Sequence, residues 1–325
     1  MTAPLRLLIV GTGGMANSHA EAYGSIPGVE LVGGVEPNPG RRLDFLARHR
    51  IERGFADLGE ALDWGGFDAA SNVTPDAVHR VTTLPLLDAR KHVLCEKPLA
   101  ATYGDARVMA DRAAKAGVIN MVNLSYRNGP ALIQAAAMVE AGEIGEVRHF
   151  EAAYLQSWLT QPAWGDWRTE DKWLWRLSTA HGSLGVLGDV GVHILDYATY
   201  AAGLAVTDVS CRLTTFDKAE GGRIGEYVLD ANDSFAMHLR LSNGATGVVH
   251  ASRMATGHLN DLSLRIYGTK GGLDVRWQGN QSRLSACLGE ADARTGTWRE
   301  VPAPAVPTNH ARFVAAIRAG APVRP

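Results

Sequence analysis

The chain has 325 residues, of which 46% are hydrophobic and 20% are charged. These are ordinary globular values, and they exclude a disordered chain, a collagen and a coiled coil. The length exceeds the roughly 250–300 residues at which a single hydrophobic core stops growing, which predicts two domains. The net charge of −2 provides no electrostatic basis for binding a phosphate backbone, so nucleic acid is not an expected partner.

Three cysteines stand at positions 95, 211 and 287, far apart and without CxxC spacing. This pattern fits neither a disulfide framework nor a cysteine zinc site, so we expect reduced and mostly buried thiols. The N-terminal sequence MTAPLRLLIVGTGG lacks the basic start and the long apolar stretch of a signal peptide. No segment reaches the ~18 apolar residues of a membrane span. The sequence therefore predicts a cytoplasmic protein without membrane contact.

Strands and helices alternate over the first part of the chain. The predicted strands are short and mostly apolar, at 5–10, 30–35, 67–73, 92–95 and 118–124. The helices predicted between them end near Ser25 or cover 41–50, 57–64, 77–89 and 103–116. This alternation predicts βαβ units and a parallel sheet.

The pattern changes after residue 130. Helices are predicted at 131–141, 188–202 and 309–319, and strands at 147–156, 208–216, 231–241, 245–252, 261–268, 272–277 and 282–288. Strands that follow one another without helices indicate an α+β domain with a mostly antiparallel sheet. We therefore predict a first domain over 1–128 and a second over 129–325.

A glycine-rich turn follows the first predicted strand. Gly11 permits a tight turn, Gly13 lets the backbone approach a pyrophosphate, and the small Ala16 allows close packing of helix on strand. The helix N-terminus behind the turn is an anion site, because its N–H groups and its dipole face the phosphates. The turn and the strand and helix around it predict a dinucleotide site formed by Gly11, Thr12, Gly13, Gly14, Met15 and Ala16.

Glu36 ends the second predicted strand, about 20 residues beyond this motif, where an acid binds the adenosine ribose. A carboxylate at this position also repels the 2′-phosphate of NADP, which favours NAD. Arg41 and Arg42 could accommodate that phosphate, although they also fit the solvated face of the next helix. We expect NAD, with NADP as the alternative.

Four sequence features occur together in this chain. They are GTGGMA with His19 after it, Thr74-Pro75 with His79 after it, Glu96-Lys97-Pro98, and the segment GDVGVHILD at 188–196. An EKP tripeptide followed about 90 residues later by GDxGxH is the most specific of these. With them the chain resembles the Gfo/Idh/MocA family of sugar and inositol oxidoreductases, nearly from end to end.

The resemblance implies an N-terminal Rossmann domain with a doubly wound parallel sheet and a C-terminal α+β domain with a large, open, mostly antiparallel sheet. It implies hydride transfer between a nicotinamide and a secondary hydroxyl or ketone of a cyclic polyol. It also implies a cis Lys97–Pro98 peptide bond and a homodimer or homotetramer formed through the C-terminal sheet. Relatives usually continue through at least one more helix after a helix equivalent to 309–319.

Three residues match the family's catalytic positions, namely Lys97, Asp189 and His193. A neutral histidine suits removal of the hydroxyl proton, and a lysine ammonium can polarise the reacting oxygen. Asp189 and His193 are spaced i, i+4, which on a helix places them one turn apart. We expect Gly188 and Gly191 to let ligands approach this helix. On the cofactor side, the resemblance adds Thr74, Pro75, His79, Glu96 and Lys97.

Without the family pattern, the Asp-xxx-His pair also fits a surface pair or two metal ligands. A metal site would need a third ligand such as His181 or Asp196, and we predict no metal.

Residues 154–176 hold five of the eight tryptophans. Flat aromatic faces suit the apolar faces of a sugar ring, but tryptophan is equally typical of a core or a subunit interface. The predicted substrate-binding residues are Lys97, Tyr126, Arg127, Gln156, Trp158, Trp175, Arg176, Asp189 and His193.

The sequence leaves two alternatives to a dehydrogenase. One is a glycosidase of the same fold that oxidises its substrate transiently with a tightly held NAD. The other is a non-catalytic protein that senses nucleotides. The joint presence of Lys97, Asp189 and His193 argues against the second alternative.

Overall fold

The computed structural model describes residues 3–162 and 164–321, apart from the side chain of Asp171. The chain forms two compact units. The first consists of Met1–Ser125 together with Pro307–Pro325, and the second of Tyr126–Val306.

A six-stranded parallel sheet forms the centre of the first unit. Its strands are β1 (Leu5–Val10), β2 (Val29–Val35), β3 (Gly54–Phe55), β4 (Ala69–Asn72), β5 (His92–Cys95) and β6 (Asn120–Val122). Their order in the sheet is β3-β2-β1-β4-β5-β6. This is the Rossmann order. The order in which strands are added to the sheet reverses between β1 and β4, and this leaves a crevice at the carboxyl ends of the strands. The predicted doubly wound sheet is confirmed.

Helices cover both faces of this sheet. They are α1 (Gly14–Gly24), α2 (Pro39–His49), α3 (Leu58–Trp64), α4 (His79–Asp88) and α5 (Tyr103–Ala116), together with α10 (Asn309–Ala319) from the end of the chain. The central strand β1 explains why two layers form, because Leu7, Leu8 and Ile9 are all fully buried although alternate residues point to opposite faces. Leu8 belongs to one apolar core and Leu7 and Ile9 to the other.

The helix α10 departs from the predicted domain boundary. The predicted second domain includes this helix, whereas in the structure it belongs to the first unit. Phe313 and Val314 are buried in the same core as Ala16 and Ala20 of α1. The physical reason is the amphipathic pattern of α10, whose apolar face needs a partner that local sequence does not specify.

An eight-stranded sheet forms most of the second unit. Its strands are β7 (Val147–Leu155), β8 (Val206–Thr214), β11 (Ser234–Leu241), β12 (Thr246–Ser252), β13 (Asp261–Gly268), β14 (Gly271–Gln278), β15 (Gln281–Leu288) and β16 (Arg299–Val301). Their order is β16-β15-β14-β13-β7-β12-β11-β8, and all neighbours are antiparallel except β7 and β12. The remaining elements are α6 (Pro130–Glu140), α7 (Asp171–Leu174), α8 (Val192–Ala202), α9 (Gly289–Thr295), and the hairpin strands β9 (Arg223–Ile224) and β10 (Tyr227–Val228).

One face of this sheet is buried against α6 and α8, and the other is open. In β12, Val249 and Ala251 belong to the core, whereas Thr246, Val248 and His250 are exposed. This alternation confirms the predicted α+β domain, because an antiparallel sheet can be covered on one face alone.

Several short elements were not predicted. β3, β9, β10 and β16 have two or three residues each, too few to show a periodic pattern, and they form only because a neighbouring strand pairs with them. The predicted helix 188–202 starts instead as a π-helical turn at Leu187–Gly191 that continues into α8. None of the described helices is long and apolar enough to cross a membrane. Cys95 and Cys287 are buried and Cys211 is exposed, and all three are free.

Candidate active site

The glycine-rich turn between β1 and α1 has the shape that a pyrophosphate requires. Gly11 has φ = +87°, and a Cβ atom there would lie 2.8 Å from the main-chain oxygen of Val73. A Cβ atom on Gly13 or Gly14 would meet no atom within 4 Å, so the space above the turn is open. Gly13 caps α1 without a side-chain hydrogen bond, which leaves the first N–H groups of the helix to a ligand. These features fit a dinucleotide.

The other residues of the turn differ in exposure. Thr12 is 6% exposed, Ala16 is fully buried against the sheet, and Met15 is 56% exposed. The close packing at Ala16 agrees with the reason given for a small residue there. A direct contact between the Met15 side chain and the cofactor stays a prediction.

Glu36 follows the last residue of β2, and its carboxylate is bound to the turn. Its Oε2 accepts hydrogen bonds from the main-chain N–H and the hydroxyl of Thr12 at 3.2 and 3.3 Å, and its Oε1 accepts one from Asn38 at 3.1 Å. Arg42 donates to the main-chain oxygen of Glu36 at 2.5 Å, whereas Arg41 is exposed. The carboxylate is thus held at the carboxyl end of β2, beside the glycine-rich turn, where a ribose acceptor belongs.

His79 joins the loops after β4 and β5. Its Nε2 is 2.8 Å from the main-chain oxygen of Thr74, and its Nδ1 is 2.8 Å from that of Pro98. The ring is 1% exposed, and its two contacts join these loops. Direct cofactor contacts of Thr74, Pro75 and His79 stay a prediction.

Glu96 has a similar internal role. Its Oε1 is 2.9 Å from Nε2 of His19 and accepts a hydrogen bond from Nδ2 of Asn123 at 2.6 Å, while its Oε2 accepts one from the main-chain N–H of Lys97 at 3.1 Å. Burial alone would raise the pKa of Glu96, but the hydrogen bonds from His19 and Asn123 outweigh it and lower this pKa to about 2. The carboxylate is therefore ionised and fixes the backbone that carries Lys97.

This cluster extends to the end of the chain. Asn309 of α10 donates from Nδ2 to Oδ1 of Asn123 at 3.0 Å, and the ring of His310 contacts that of His19 edge-on at 4.6 Å. Burial lowers the pKa of His310 to about 4, so this imidazole is neutral near pH 7. The peptide bond between Lys97 and Pro98 is cis, as predicted.

In the second unit, His193 lies near the start of α8 and is 6% exposed. Its ring meets the ring of Tyr126 edge-on, with 5.0 Å between the centroids, and lies 6.4 Å from that of Tyr154. Burial raises the pKa of both tyrosines, although hydrogen bonds from Tyr154 and Asn260 partly offset this for Tyr126. Both phenols therefore stay protonated near neutral pH.

A connected set of polar side chains surrounds this histidine. The hydroxyls of Tyr126 and Tyr154 are 2.5 Å apart, and Asn260 bonds to both, at 2.7 and 2.6 Å. Gln156 donates to Asn260 at 2.9 Å and accepts from the indole N–H of Trp158 at 3.2 Å. The structure thus brings Tyr126 to His193 and links Gln156 and Trp158 to Tyr126 through Asn260.

Asp189 lies in the π-helical turn, and its Oδ2 accepts a hydrogen bond from Nη2 of Arg253 at 2.8 Å. Gly188 and Gly191 were expected to leave room for a ligand, but protein atoms fill the space where their Cβ atoms would lie. A Cβ atom at 188 would lie 2.2 Å from Leu184, and one at 191 would lie 2.9 Å from Leu187 and from Phe235. These glycines are needed for packing of the turn within its own unit.

Arg127 forms an ion pair with Asp196. Its guanidinium donates to both carboxylate oxygens of Asp196 on α8, at 2.9 and 2.5 Å, and stacks on Tyr200 with 4.5 Å to the ring centre. These contacts favour a structural role, and its substrate contact stays a prediction.

The tryptophan-rich segment divides by exposure. Trp158 and Trp167 are buried in a small core, which supports the packing alternative for these two. Trp175 is 38% exposed, and the guanidinium of Arg176 stacks on it at 4.5 Å from the ring centre. Burial lowers the pKa of Arg176, and Nη1 donates to the main-chain oxygen of Lys172 at 2.7 Å. Sugar binding by Trp175 and Arg176 stays a prediction.

Sequence reasoning missed Asn260, Arg253, Asn123 and Asn309. Each is a polar residue without a motif, and only its fully or nearly fully buried position or its hydrogen bonds identify it. Among the described residues, no three His, Cys, Asp or Glu side chains are grouped as a metal would require.

Comparisons with known proteins match both parts of the chain to one family. The model of an oxidoreductase family with an NAD-binding Rossmann fold matches residues 5–124, and that of the GFO/IDH/MocA C-terminal domain matches 132–274. Levoglucosan dehydrogenase from Pseudarthrobacter phenanthrenivorans is 27% identical over 89% of this chain and 78% of its own length. The scyllo-inositol 2-dehydrogenase (NAD(+)) of Bacillus subtilis is 26% identical over 85% of this chain and 75% of its own.

A solved structure of levoglucosan dehydrogenase in complex with NADH and L-sorbose is similar over 100% of this chain and 92% of that one, with a TM-score of 0.85 and 26% identity. An oxidoreductase domain protein from Kribbella flavida gives a TM-score of 0.86 at 28% identity, over 100% and 92% of the two chains. From both family matches and the glycine-rich turn, we conclude that the chain belongs to the Gfo/Idh/MocA oxidoreductase family, with an NAD-binding Rossmann fold in its N-terminal part.

Proposed function

We propose that this protein is an NAD-dependent dehydrogenase that oxidises a secondary hydroxyl of a sugar, glycoside, anhydrosugar or inositol, or reduces the matching ketone. The observation that carries the proposal is that the GDxGxH segment supplies both the buried His193 and an Asp189 carboxylate that Arg253 holds. The names of the relatives support the substrate class, since they include levoglucosan, scyllo-inositol and myo-inositol dehydrogenases.

His193 is the proposed base. When bound, NAD accepts the hydride from the carbinol carbon. The hydroxyl proton must leave at the same time, and a neutral imidazole takes it near neutral pH. Tyr126 is less suited to this role, because burial raises its pKa and keeps its phenol protonated. Its hydroxyl belongs instead to the network that orients the site.

Lys97 and Asp189 complete the proposed catalytic set. The Lys97 ammonium polarises the reacting oxygen and lowers the barrier electrostatically. Asp189 accepts a hydrogen bond from the substrate and thereby holds the substrate in its reactive orientation. Support for Lys97 comes from its position just after β5, at the edge of the sheet where ligands of open α/β folds bind, and from the backbone bond to Glu96.

Glu36 supports NAD over NADP. Its carboxylate is fixed beside the glycine-rich turn and would repel a 2′-phosphate, while Arg42 is engaged with the main chain of Glu36 itself. We retain NADP as a cofactor that the experiment must include.

We further infer a homodimer or homotetramer formed through the C-terminal sheet, and a cytoplasmic location. The open face of the sheet supports the first inference, because Ala236, His238 and Val248 on that face are exposed. Three free thiols suit a reducing compartment and support the second.

The test is a panel of free sugars, glycosides, anhydrosugars and inositols, each followed by absorbance of the reduced nicotinamide with NAD and with NADP. A dehydrogenase produces net NADH in proportion to substrate consumed. A glycosidase that recycles its cofactor releases a sugar product without net NADH. A nucleotide sensor binds NAD, measured by calorimetry, and turns over none of the panel. Either of the last two outcomes would refute the proposal.

A further inference from the structure

A buried arginine contacts the carboxylate of Asp189. Arg253 follows directly after β12 and is 0% exposed. Its Nη2 donates to Oδ2 of Asp189 at 2.8 Å, and its Nη1 donates to the main-chain oxygen of Arg176 at 3.0 Å. The ring of Trp158 lies against the same guanidinium, with 5.1 Å from Cζ to the ring centre. Three segments of the second unit therefore fix this cation.

Packing alone does not account for a charge at this position. Burying a guanidinium costs its hydration, and its carboxylate partner remains 35% exposed. The Nε of Arg253 is also buried, without a hydrogen-bond partner among the described residues. Replacing a buried ion pair by apolar side chains of similar volume is often neutral or stabilising. The cost of this arrangement indicates that the charge serves Asp189.

We propose that Arg253 is a positioning residue, whose guanidinium fixes the Asp189 carboxylate in one orientation as an acceptor for the substrate. The inference rests on the proposed function, in which Asp189 contacts the substrate. A carboxylate that is already oriented does not have to be ordered during the reaction, which is where positioning contributes to rate. Neither the glycine-rich turn nor the GDxGxH segment contains this arginine.

The other groups of the second unit that act on Asp189 agree with this role. Arg176, Tyr126 and Tyr154 each interact electrostatically with its carboxylate. Burial raises the pKa of both phenols, which keeps them neutral near pH 7. Arg176 and Arg253 thus both place positive charge near this carboxylate, and Arg253 donates a hydrogen bond to it.

The experiment compares Arg253→Met with the parent protein on the best substrate of the panel. We expect kcat/KM to fall about 100-fold, the loss associated with a misplaced reacting group, while NAD binding persists. The loss should appear in kcat and not only in KM, because an oriented carboxylate lowers the barrier of the reaction itself.

A matched control is Arg299→Met, which removes an arginine of the same unit that binds both carboxylate oxygens of Asp292 at 2.8 and 2.7 Å. It should keep the parental kcat and KM. A double-mutant cycle with Asp189→Asn then separates positioning from folding, because an arginine that acts through Asp189 has little further effect once the carboxylate is gone.

Parental kcat/KM in Arg253→Met, a loss confined to KM, or effects that add fully to those of Asp189→Asn would each overturn the proposal. If Arg253→Met does not fold, Arg253→Lys takes its place. The lysine keeps the charge but loses the planar fork, so parental kcat/KM there also overturns it. A parent protein without activity on any panel member would refute the proposed function, and this inference with it. If the parent is active and substitution of Arg253 leaves kcat/KM unchanged, only the role of Arg253 is refuted.

Discussion

The charge of Glu96 should contribute measurably to the stability of the first unit, and the substitution Glu96→Gln tests this. The side chain is 12% exposed, and its carboxylate binds His19, Asn123 and the main chain of Lys97. Glutamine preserves the shape but removes the charge. It also replaces one of the two acceptor oxygens by an N–H donor, so the change of stability with pH, and not the absolute stability, reports on the charge.

The expected magnitude follows from the pKa. A fall from 4.5 to about 2 corresponds to about 3 kcal/mol of stabilisation at neutral pH. Because the folded pKa lies below the unfolded one, the unfolded chain takes up the proton first, and stability is lost as pH falls from about 4.5 towards 2. About 2 kcal/mol of the total should disappear between pH 5.5 and pH 3.

Urea unfolding at pH 5.5 and at pH 3, followed by far-UV circular dichroism, measures this loss. The parent should lose about 2 kcal/mol more than Glu96→Gln over this interval. The control is Glu21→Gln on the exposed surface of α1, which removes the same charge and should retain the parental pH dependence. Equal pH dependence in the parent and in Glu96→Gln would refute the reasoning that the Glu96 carboxylate is stabilised by its buried partners.

Three further predictions concern the reaction and the assembly. His193→Ala should lower kcat by about 10²–10⁴-fold and abolish the acid limb of kcat/KM, with NAD affinity retained in a calorimetric titration; near-parental kcat would exclude His193 as the base. Glu36→Ala should weaken NAD and narrow its advantage over NADP in kcat/KM, and an unchanged cofactor ratio would show that Glu36 is not the ribose ligand. Val248→Glu adds a charge to the open face of the C-terminal sheet and should convert the oligomer to monomers in light scattering; a monomeric parent, or a variant of unchanged mass, would contradict assembly through this face.

Much of the fold could be predicted from local patterns. The strand 5–10 is apolar at nearly every position because helices cover both of its faces, whereas β12 alternates because one face is open. The glycine-rich turn could be predicted from the sequence for a similar reason. Gly11 needs a positive φ and has a neighbouring backbone within 3 Å of its missing Cβ, and no other residue type tolerates both.

The candidate site was only partly predictable. Glu36, Lys97, Asp189 and His193 stand in motifs, so their identity and order were readable. His79 and Glu96 belong to the same motifs, but the structure shows them bonded inward, to loop carbonyls and to buried side chains. A motif records that a residue type is required at a position and does not show whether it faces a ligand or the protein.

By itself, the sequence determined the two fold classes, the dinucleotide turn and the family, because each depends on residues close together in the chain or on motifs of fixed spacing. Tertiary structure decided the partners of those residues. Asn309 lies 186 positions from Asn123 and Arg253 lies 64 from Asp189, yet each pair forms a hydrogen bond. Such bonds join segments brought together by burial of apolar surface, which acts without regard to sequence separation. For this reason α10 belongs to the first unit, and a residue outside every motif holds Asp189.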